Sequence, residues 1–478
     1  MEMKRRIIGL ILTAGMLATS IAGCGSTAST SASAGSAADA SSAASAASTS
    51  EEVEEETAAA SSGNAAAQDT GDHEDVTIEV DIVQTDWAEQ WDAMKEKFES
   101  EYPWITVENV GLGEDGLTFL TNRAAAQDLP DVCQMYMNQV FLDLADEGLI
   151  EDASKYDVAQ DIPESYRKLD TYNGKLLGLT QGAAASCMYY NMQILKDAGW
   201  DEIPTTFDEL IQCCKDVQDK TGKAPIVVAG GKATTVWFPV ELLVAANIAK
   251  GDLTEEDYEN QFKDGKFDFT ADPSIAEKMD QLAPYFLTGS SSMQEEDTFT
   301  AMADGDVAMC LAGNWNSAGL TDAVKTATGG DGNIQASFPP FSDDAAKKVT
   351  TVSPEDFFAV TVDESRSADE QEAVDTFYNW VFQPENFKII QNARGTLPVL
   401  TTLEESDIVL PDCMKQVASD IQGGDYSSVT MGFNLWTAPT QDVITSELGQ
   451  WVANGSGAAE ALKKITDQEA QDYMNMEG

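Results

Sequence analysis

The chain has 478 residues with 82 acidic and 28 basic side chains, giving a formal net charge of −54. Because affinity for phosphate comes from lysine and arginine, this balance excludes nucleic acid as a partner and attraction to an anionic bilayer by charge. The only histidine, His73, precedes the predicted folded body, which excludes Ser-His-Asp and Cys-His catalysis and nearly all histidine-based zinc sites there. The seven cysteines show no metal-ligating spacing. We therefore expect neither a metal nor a cofactor, while disulfide pairing stays open.

Residues 1–23 have the pattern of a secretory signal peptide, with basic residues from Lys4 to Arg6, a short apolar run and small residues before Cys24. The run is too short, and too broken by Gly, Thr and Ser, to favour a membrane span. Residues 21–24, IAGC, resemble the bacterial lipobox, in which the cysteine is acylated after the preceding peptide is removed. Lipidation at Cys24 is therefore predicted; the alternative is an ordinary signal peptide with an incidental cysteine.

Residues 24–75 are predicted to be a disordered tether behind the lipid. Between residues 25 and 50 the composition is Ser, Ala, Thr and Gly apart from Asp39, and an acidic run, EEVEEE, follows at 51–56. Such a segment cannot bury enough apolar surface to offset the entropy of ordering it. As a flexible chain it would reach roughly 40 Å, which would hold a folded body clear of the membrane.

From Val76 onward, strands and helices alternate. VTIEVDIVQTD alternates apolar and polar residues as a half-buried strand does, and the next segment repeats apolar residues at helical spacing. Three strands are predicted in this series, in VTIEVDIVQTD, WITVENV and LPDVCQMYM, each followed by a helix. This alternation predicts an α/β fold with a mostly parallel sheet, which we assign to a first lobe over residues 76–184.

A second α/β series predicts a second lobe over residues 185–334. It includes SCMYYNMQILKDAGW, read as a strand followed by a helix, and a helix that opens with the capping-box pattern Thr206-x-x-Glu209. The buried strands APIVVAG and DVAMCLAG follow. The chain is then expected to return to the first lobe over about 335–390, and to finish on the second lobe over about 391–478.

From residue 76 to about residue 475, the chain resembles the solute-binding lipoproteins of bacterial carbohydrate ABC importers, the maltose-binding-protein-like family 1. The resemblance lies in the order and spacing of several segments behind the lipobox: WAEQWDAMKEKFESEYPWITVE, LPDV, LADEGLIEDASKY, YNGKLLGLTQGAAASCMYYNMQILKDAGWDEIPTTFDEL, FTAMADGDVAMCLAGNW and NARGTLPV. It implies a two-lobed, Venus-flytrap fold with the ligand in the cleft between the lobes. It also implies a monomeric, non-enzymatic subunit on the extracellular face of the membrane, which closes on a sugar and delivers it to the transmembrane permease.

By position, the resemblance nominates ligand-binding residues in both lobes: Asp86, Trp87, Tyr136, Asn138, Trp237, Asn314, Trp315, Glu355, Asp356 and Trp436. Aromatic rings would stack on the C–H faces of a pyranose, and the polar side chains would bind its hydroxyl groups. Core packing is the alternative role for Trp87 and Trp237, whereas Trp315, in a Gly/Asn loop, has less core to join. Arg394 is expected to brace a loop.

Two other functions stay open at this point. A binding protein for another solute, such as a polyamine or a peptide, would share the fold, and the general acidity of the chain suits a cation. An extracellular glycosidase would also need carboxylates and aromatic residues. With 82 acidic residues, a pair of carboxylates indicates nothing by itself, but two α/β lobes in series do not match a barrel of eight repeats.

Overall fold

The computed structural model describes residues 73–82, 87–111, 116–263, 265–403, 407–432 and 436–477. These residues fall within one compact unit. The predicted signal peptide, Cys24 and nearly all of the predicted tether lie outside the described residues. Among the helices that are described, none is long and apolar enough to span a membrane.

The described strands are β1 (Val76–Asp81), β2 (Ile105–Val110), β3 (Val132–Met135), β4 (Thr171–Tyr172), β5 (Lys175–Leu176), β6 (Leu179–Thr180), β7 (Ala183–Asn191), β8 (Ala224–Val228), β9 (Val307–Gly313), β10 (Ile334–Ser337), β11 (Val349–Pro354), β12 (Phe357–Val360) and β13 (Ser427–Val429). The described helices are α1 (Ala88–Glu101), α2 (Gly116–Ala126), α3 (Gln139–Asp146), α4 (Glu164–Arg167), α5 (Met192–Asp197), α6 (Phe207–Thr221), α7 (Ala233–Lys250), α8 (Glu255–Lys263), α9 (Pro273–Leu282), α10 (Glu295–Ala303), α11 (Ser317–Thr328), α12 (Ala368–Val381), α13 (Pro384–Arg394), α14 (Lys415–Gly423), α15 (Ala438–Asn454) and α16 (Ala458–Glu477).

The first sheet has the strand order β2-β1-β3-β12-β6. Strands β1, β2 and β3 are parallel, and α1 buries Trp91, Met94 and Phe98, as its apolar spacing predicts. The expectation of a mostly parallel sheet is wrong beyond β3, because β12 runs antiparallel to both β3 and β6. The reason is topological: β12 follows directly on a strand of the second sheet and so enters the first sheet from the opposite end.

The second sheet has the order β13-β11-β7-β9-β8, with β10 also paired to β7. Its central strand, β7, is buried over eight of its nine residues, which fits the run AAASCMYY. Both β10 and β11 pair with β7, so the chain does not return to the first sheet near residue 335, as the sequence suggested; it returns with β12 at Phe357. The apolar residues of APIVVAG and DVAMCLAG form β8 and β9, as predicted.

The folded body begins before residue 76, which corrects the predicted end of the tether. The His73 ring stacks on the Trp104 indole, with centroids 4.1 Å apart and planes 12° apart. The Glu74 N–H donates to Asp369 Oδ2 at 3.1 Å. The sequence pattern did not show these contacts because His73 and Glu74 carry no apolar periodicity.

Helix α7 is buried on nearly every side, since residues 235–246 are all buried. This places a carboxyl group, Glu241, inside the protein with 1% of its surface exposed. Its Oε1 accepts a hydrogen bond from the Gly432 N–H. Burial raises the pKa of Glu241 to about 8, although the Gly432 N–H and the Trp237 indole act in the opposite direction.

Three segments cross between the two sheets, and they touch one another. Gln181 and Gly182 join β6 to β7, and Glu355 and Asp356 join β11 to β12. The Glu355 N–H donates to Gly182 O at 2.9 Å, and the Gln181 N–H donates to Asp356 O at 2.8 Å. The third segment follows α13 in the chain, and its Leu397 forms an antiparallel β-bridge with Ala183. The crossing is therefore one hydrogen-bonded unit built from three stretches of chain.

The Gly182→Ala substitution should destabilise this crossing. A methyl group at Gly182 would lie 2.5 Å from Thr396 Oγ1 and 2.6 Å from Thr396 Cβ. Overpacking of this kind costs about 1–3 kcal/mol, so the midpoint of thermal unfolding should fall by a few degrees. Gly330→Ala, where nothing lies within 4 Å of the added carbon, is the matched control and should leave the midpoint unchanged. Equal midpoints for the two variants would contradict the close approach.

The Glu241→Gln substitution should weaken the dependence of stability on pH. Because the pKa of Glu241 is about 8 in the folded chain and near 4.5 when exposed, the folded state keeps this proton in a range where the unfolded state releases it. The free energy of unfolding therefore falls as pH rises through that range, by up to about 1.4 kcal/mol per pH unit for this group. Burial also raises the pKa of Asp81 to about 8, so part of the fall should remain in the variant.

The measurement is thermal unfolding at several pH values between about 5 and 8. Glutamine keeps the acceptor for the Gly432 N–H and removes only the titration. Glu277→Gln, at an exposed glutamate, is the control and should show the wild-type decline. A decline in Glu241→Gln as steep as in the wild type would show that Glu241 ionises normally.

Candidate ligand cleft

A cavity of about 610 Å³ opens beside the crossing segments and contains several of the predicted residues. Its lining combines groups from the first sheet, the second sheet and the crossing, among them Tyr136, Lys232, Glu295, Trp315, Asp356 and Arg394. A concave site of a few hundred Å³ with aromatic rings and a few polar groups is the usual form of a small-molecule site.

Trp315 lies in a tight turn directly after β9. Its ring lies against Gly313, where an added Cβ would be 2.3 Å from the indole, so the turn needs glycine at this position. The indole N–H donates to Glu295 Oε1 at 3.0 Å, which fixes the ring while leaving it partly exposed to the cavity. A fixed, partly exposed ring can stack on a ligand with little loss of side-chain entropy.

The predicted neighbour Asn314 has a different position. It is fully buried, its Oδ1 accepts from the Ala185 N–H at 2.6 Å, and its Nδ2 donates to Ala183 O at 3.1 Å. These bonds attach the turn to β7. Asn314 therefore positions the Trp315 turn and does not face the cavity.

Tyr136 and Asn138 follow β3, where the sequence placed them. Tyr136 is half-buried and lines the cavity. Asn138 is 6% exposed and caps helix α3, because its Oδ1 accepts from the Phe141 N–H at 3.1 Å and its Nδ2 donates to Tyr136 O at 2.7 Å. Of this predicted pair, only Tyr136 contributes a side chain to the cavity wall.

Glu355 and Asp356 are held by Arg394. Arg394 Nη2 lies 3.1 Å from Asp356 Oδ2 and 3.7 Å from Glu355 Oε2, and its Nη1 donates to Gln181 Oε1 at 3.0 Å. This guanidinium compensates the two carboxylates at the floor of the cavity. The bracing role predicted for Arg394 agrees with these bonds.

Two of the predicted tryptophans, Trp87 and Trp237, do not reach this cavity. Trp87 is fully buried and packs edge-to-face on Trp91, with centroids 5.9 Å apart, so the alternative prediction of core packing describes it. Trp237 is also fully buried and lies edge-to-face against Phe269 at 4.9 Å. Asp86 lies outside the described residues. Trp87 directly precedes α1 and Trp237 lies within α7, and the core encloses both rings.

Trp436 lines a second cavity of about 350 Å³, which shares Pro354 and Glu355 with the first. It is 6% exposed and packs edge-to-face on Trp237 at 5.8 Å. The nine predicted positions that the structure describes are thus divided between the first cavity, the second cavity, the core and the loop supports.

Several residues of the first cavity were missed, among them Lys232 and Glu295. Lys232 follows β8 after two glycines, and Glu295 begins α10. The rule that ligands bind beyond the carboxyl ends of strands would have nominated Lys232. Glu295 carried no comparable signal, because its role depends on the distant Trp315.

Comparison with known proteins agrees with the fold and identifies the family. A family model described as bacterial extracellular solute-binding protein matches residues 93–416. The curated diacetylchitobiose binding protein DasA of Streptomyces coelicolor is 26% identical over 285 residues, covering 57% of this chain and 54% of that protein, so the match spans about half of its length.

Among solved structures, RafE from Streptococcus pneumoniae in its apo form aligns with a TM-score of 0.64 and 20% identity, covering 83% of this chain and 99% of that one. A structure titled chitin oligosaccharide binding protein aligns with a TM-score of 0.68 and 17% identity, covering 84% of this chain and 99% of that one. These likenesses confirm a two-lobed α/β fold. Since the family match covers more than half of the sequence, the chain belongs to the bacterial extracellular solute-binding proteins.

Proposed function

We propose that the protein captures a sugar or oligosaccharide in the first cavity by closing its two lobes, and delivers it to the permease of an ABC importer. The observation that carries this proposal is Trp315, a fixed indole with a partly exposed face in a cavity lined by polar groups. Capture and delivery of a sugar require no nucleophile or acid–base residue in the cavity. Binding, and not catalysis, is the activity that follows.

The relatives support the choice of a sugar. DasA is named for diacetylchitobiose, and the solved structures include RafE in complex with raffinose and a chitin oligosaccharide binding protein. A pyranose presents C–H faces that suit the Trp315 ring and hydroxyl groups that suit Glu295 and the polar lining. The length of the sugar and its linkage are not part of the proposal.

We also propose that the protein has a lipid anchor and that a membrane permease is its partner. We place the protein on the extracellular face of the cell membrane, held by acylation at Cys24 and by the tether that follows. The boundaries of the signal peptide, the tether and the two lobes are proposed as the sequence predicts them, with the corrections at residues 73–75 and 335–356 given above. A subunit that closes on its ligand alone has no need of a second copy, so we propose a monomer.

The acidity of the first cavity favours one competing ligand. Glu295, Glu296 and Asp322 line it and only Lys232 balances them, once Arg394 is assigned to Glu355 and Asp356. This excess of negative charge would attract a polyamine. A thermal-shift screen of the purified protein against neutral oligosaccharides, spermidine and short peptides separates the two: stabilisation by a sugar supports the proposal, and stabilisation by spermidine or a peptide alone overturns it.

The Trp315→Ala substitution should weaken sugar binding by about 30-fold or more, because a buried tryptophan at a binding site commonly carries about 2 kcal/mol or more. The affinity is measured by calorimetric titration with the sugar found in the screen. The matched control is Trp200→Ala: that indole also donates to a carboxylate, Asp216 Oδ2, at 3.0 Å, but it does not line the cavity. Equal affinities in the two variants would remove Trp315 from the site.

The Cys24→Ser substitution should move the protein from the membrane fraction to the soluble fraction of its host. Serine cannot carry the thioether-linked lipid, and the acidic body has no electrostatic affinity for an anionic bilayer. Fractionation followed by immunoblotting gives the distribution, with Cys413→Ser, a cysteine of the folded body, as the control. Unchanged membrane association of Cys24→Ser would contradict the anchor.

A further inference from the structure

The second cavity, of about 350 Å³, is distinct from the proposed sugar cleft. Of its lining residues, only Pro354 and Glu355 also line the first cavity. One wall comes from the first lobe, with Met137, Leu142 and residues 168–172, and the other comes from α8, α16 and the segment around Trp436. The proposed sugar-binding function does not use this space.

Aromatic rings make up much of the second cavity. Four aromatic residues line it: Tyr172, Phe262, Trp436 and Tyr473. The Tyr473 ring already has a cation nearby, since Lys266 Nζ lies 6.0 Å from its centroid. Ring faces attract cations through their quadrupoles, most strongly where water is excluded.

Three glutamates line the same cavity, and one of them, Glu469, differs from its neighbours. Glu259 accepts a hydrogen bond from the Thr430 hydroxyl, and Glu355 pairs with Arg394. Glu469 is 8% exposed, and its Oε2 is buried and accepts no hydrogen bond from any residue that the structure describes. A buried carboxylate oxygen without a donor is costly, so this group either keeps its proton or takes a donor from a ligand.

The described residues around Glu469 do not supply that donor. One turn further along α16, Asp472 is bonded by Thr437, Thr440 and Gln468, so its carboxylate is satisfied. Lys168 is the one lysine among the lining residues. Burial, together with the negative charge of Asp472, raises the pKa of Glu469 to about 8, as expected for a carboxyl without a cation beside it.

We propose that the second cavity is a separate site for a small organic ammonium ion, whose N–H groups donate to Glu469 Oε2 and whose carbon skeleton packs on the surrounding rings. The apolar residues Met137 and Leu142 suit the carbon skeleton. A metal ion fits poorly, because among the described residues the carboxylates of this cavity do not bring three ligand atoms within metal-binding distance of one another. An oligosaccharide would leave Glu469 Oε2 without a charged donor, which an ammonium group supplies.

The test uses benzylammonium and benzyl alcohol, which have nearly the same shape and differ in charge. Calorimetric titration of the purified protein should show benzylammonium binding roughly tenfold more tightly, a difference of about 1.4 kcal/mol. In Glu469→Gln this preference should vanish while the affinity for benzyl alcohol is unchanged. Glu460→Gln, at an exposed glutamate on the same helix, is the matched control and should keep the preference.

Two further variants locate the site. Met137→Lys places a competing ammonium on the first-lobe wall, at a half-buried position that tolerates a longer side chain, and should abolish benzylammonium binding. Trp315→Ala should leave it intact. Equal affinities for the two probes, a preference that survives in both Glu469→Gln and Met137→Lys, or loss of binding in Trp315→Ala would each overturn the proposal. The sugar-binding function would stand in the first two cases, because it depends on the other cavity.

Discussion

The architecture depends on one buried cation, the guanidinium of Arg394. With 10% of its side chain exposed, it lies where the three crossing segments meet and contacts Gln181, Glu355 and Asp356. Gln181 Oε1 also accepts from Gln134 Nε2 at 2.9 Å, which connects the crossing to β3 of the first sheet. Removing one partner of such a buried pair generally costs several kcal/mol, because an uncompensated charge is left behind. Arg394 therefore stabilises the two carboxylates between the lobes.

This arrangement also decides the chemistry of the two cavities. Both are lined by Glu355, and in both its charge is compensated from the crossing segments. Each cavity is also lined by other charged residues, among them Glu295 in the first and Glu469 in the second. Glu295 is bonded to an indole, whereas Glu469 Oε2 has no donor among the described residues. One crossing thus separates a cleft suited to hydroxyl groups from a cavity suited to a cation.

Apolar periodicity predicted the helices and strands, because the burial of one face of an element depends on the residues of that element alone. The stripe of Trp91, Met94 and Phe98 appears as expected, and so does the alternation of β1 as far as Val80, but Asp81, predicted on the polar face, is fully buried. The path of β10 and β11 was not predictable in this way, since it depends on which strand they pair with and not on their own pattern. The positions of the candidate site residues were likewise not fully predictable from their local sequence. Asn314 and Trp315 are adjacent and were nominated together, but one attaches to β7 and the other faces the cavity.

Tryptophans show why the site could be predicted only in part. Four of the nine donate their indole N–H to a carboxylate: Trp200, Trp315, Trp380 and Trp451. In a chain with 82 acidic residues such a bond is common and indicates no ligand. Trp315 differs from the other three because one face of its ring is exposed to the first cavity. The ring packs on Gly313, and the rest of the cavity wall comes from segments that are distant in sequence. In so acidic a protein, ligand recognition depends on which aromatic rings are exposed and which carboxylates have no hydrogen-bond donor. These two properties are determined by the way distant segments pack in the folded chain.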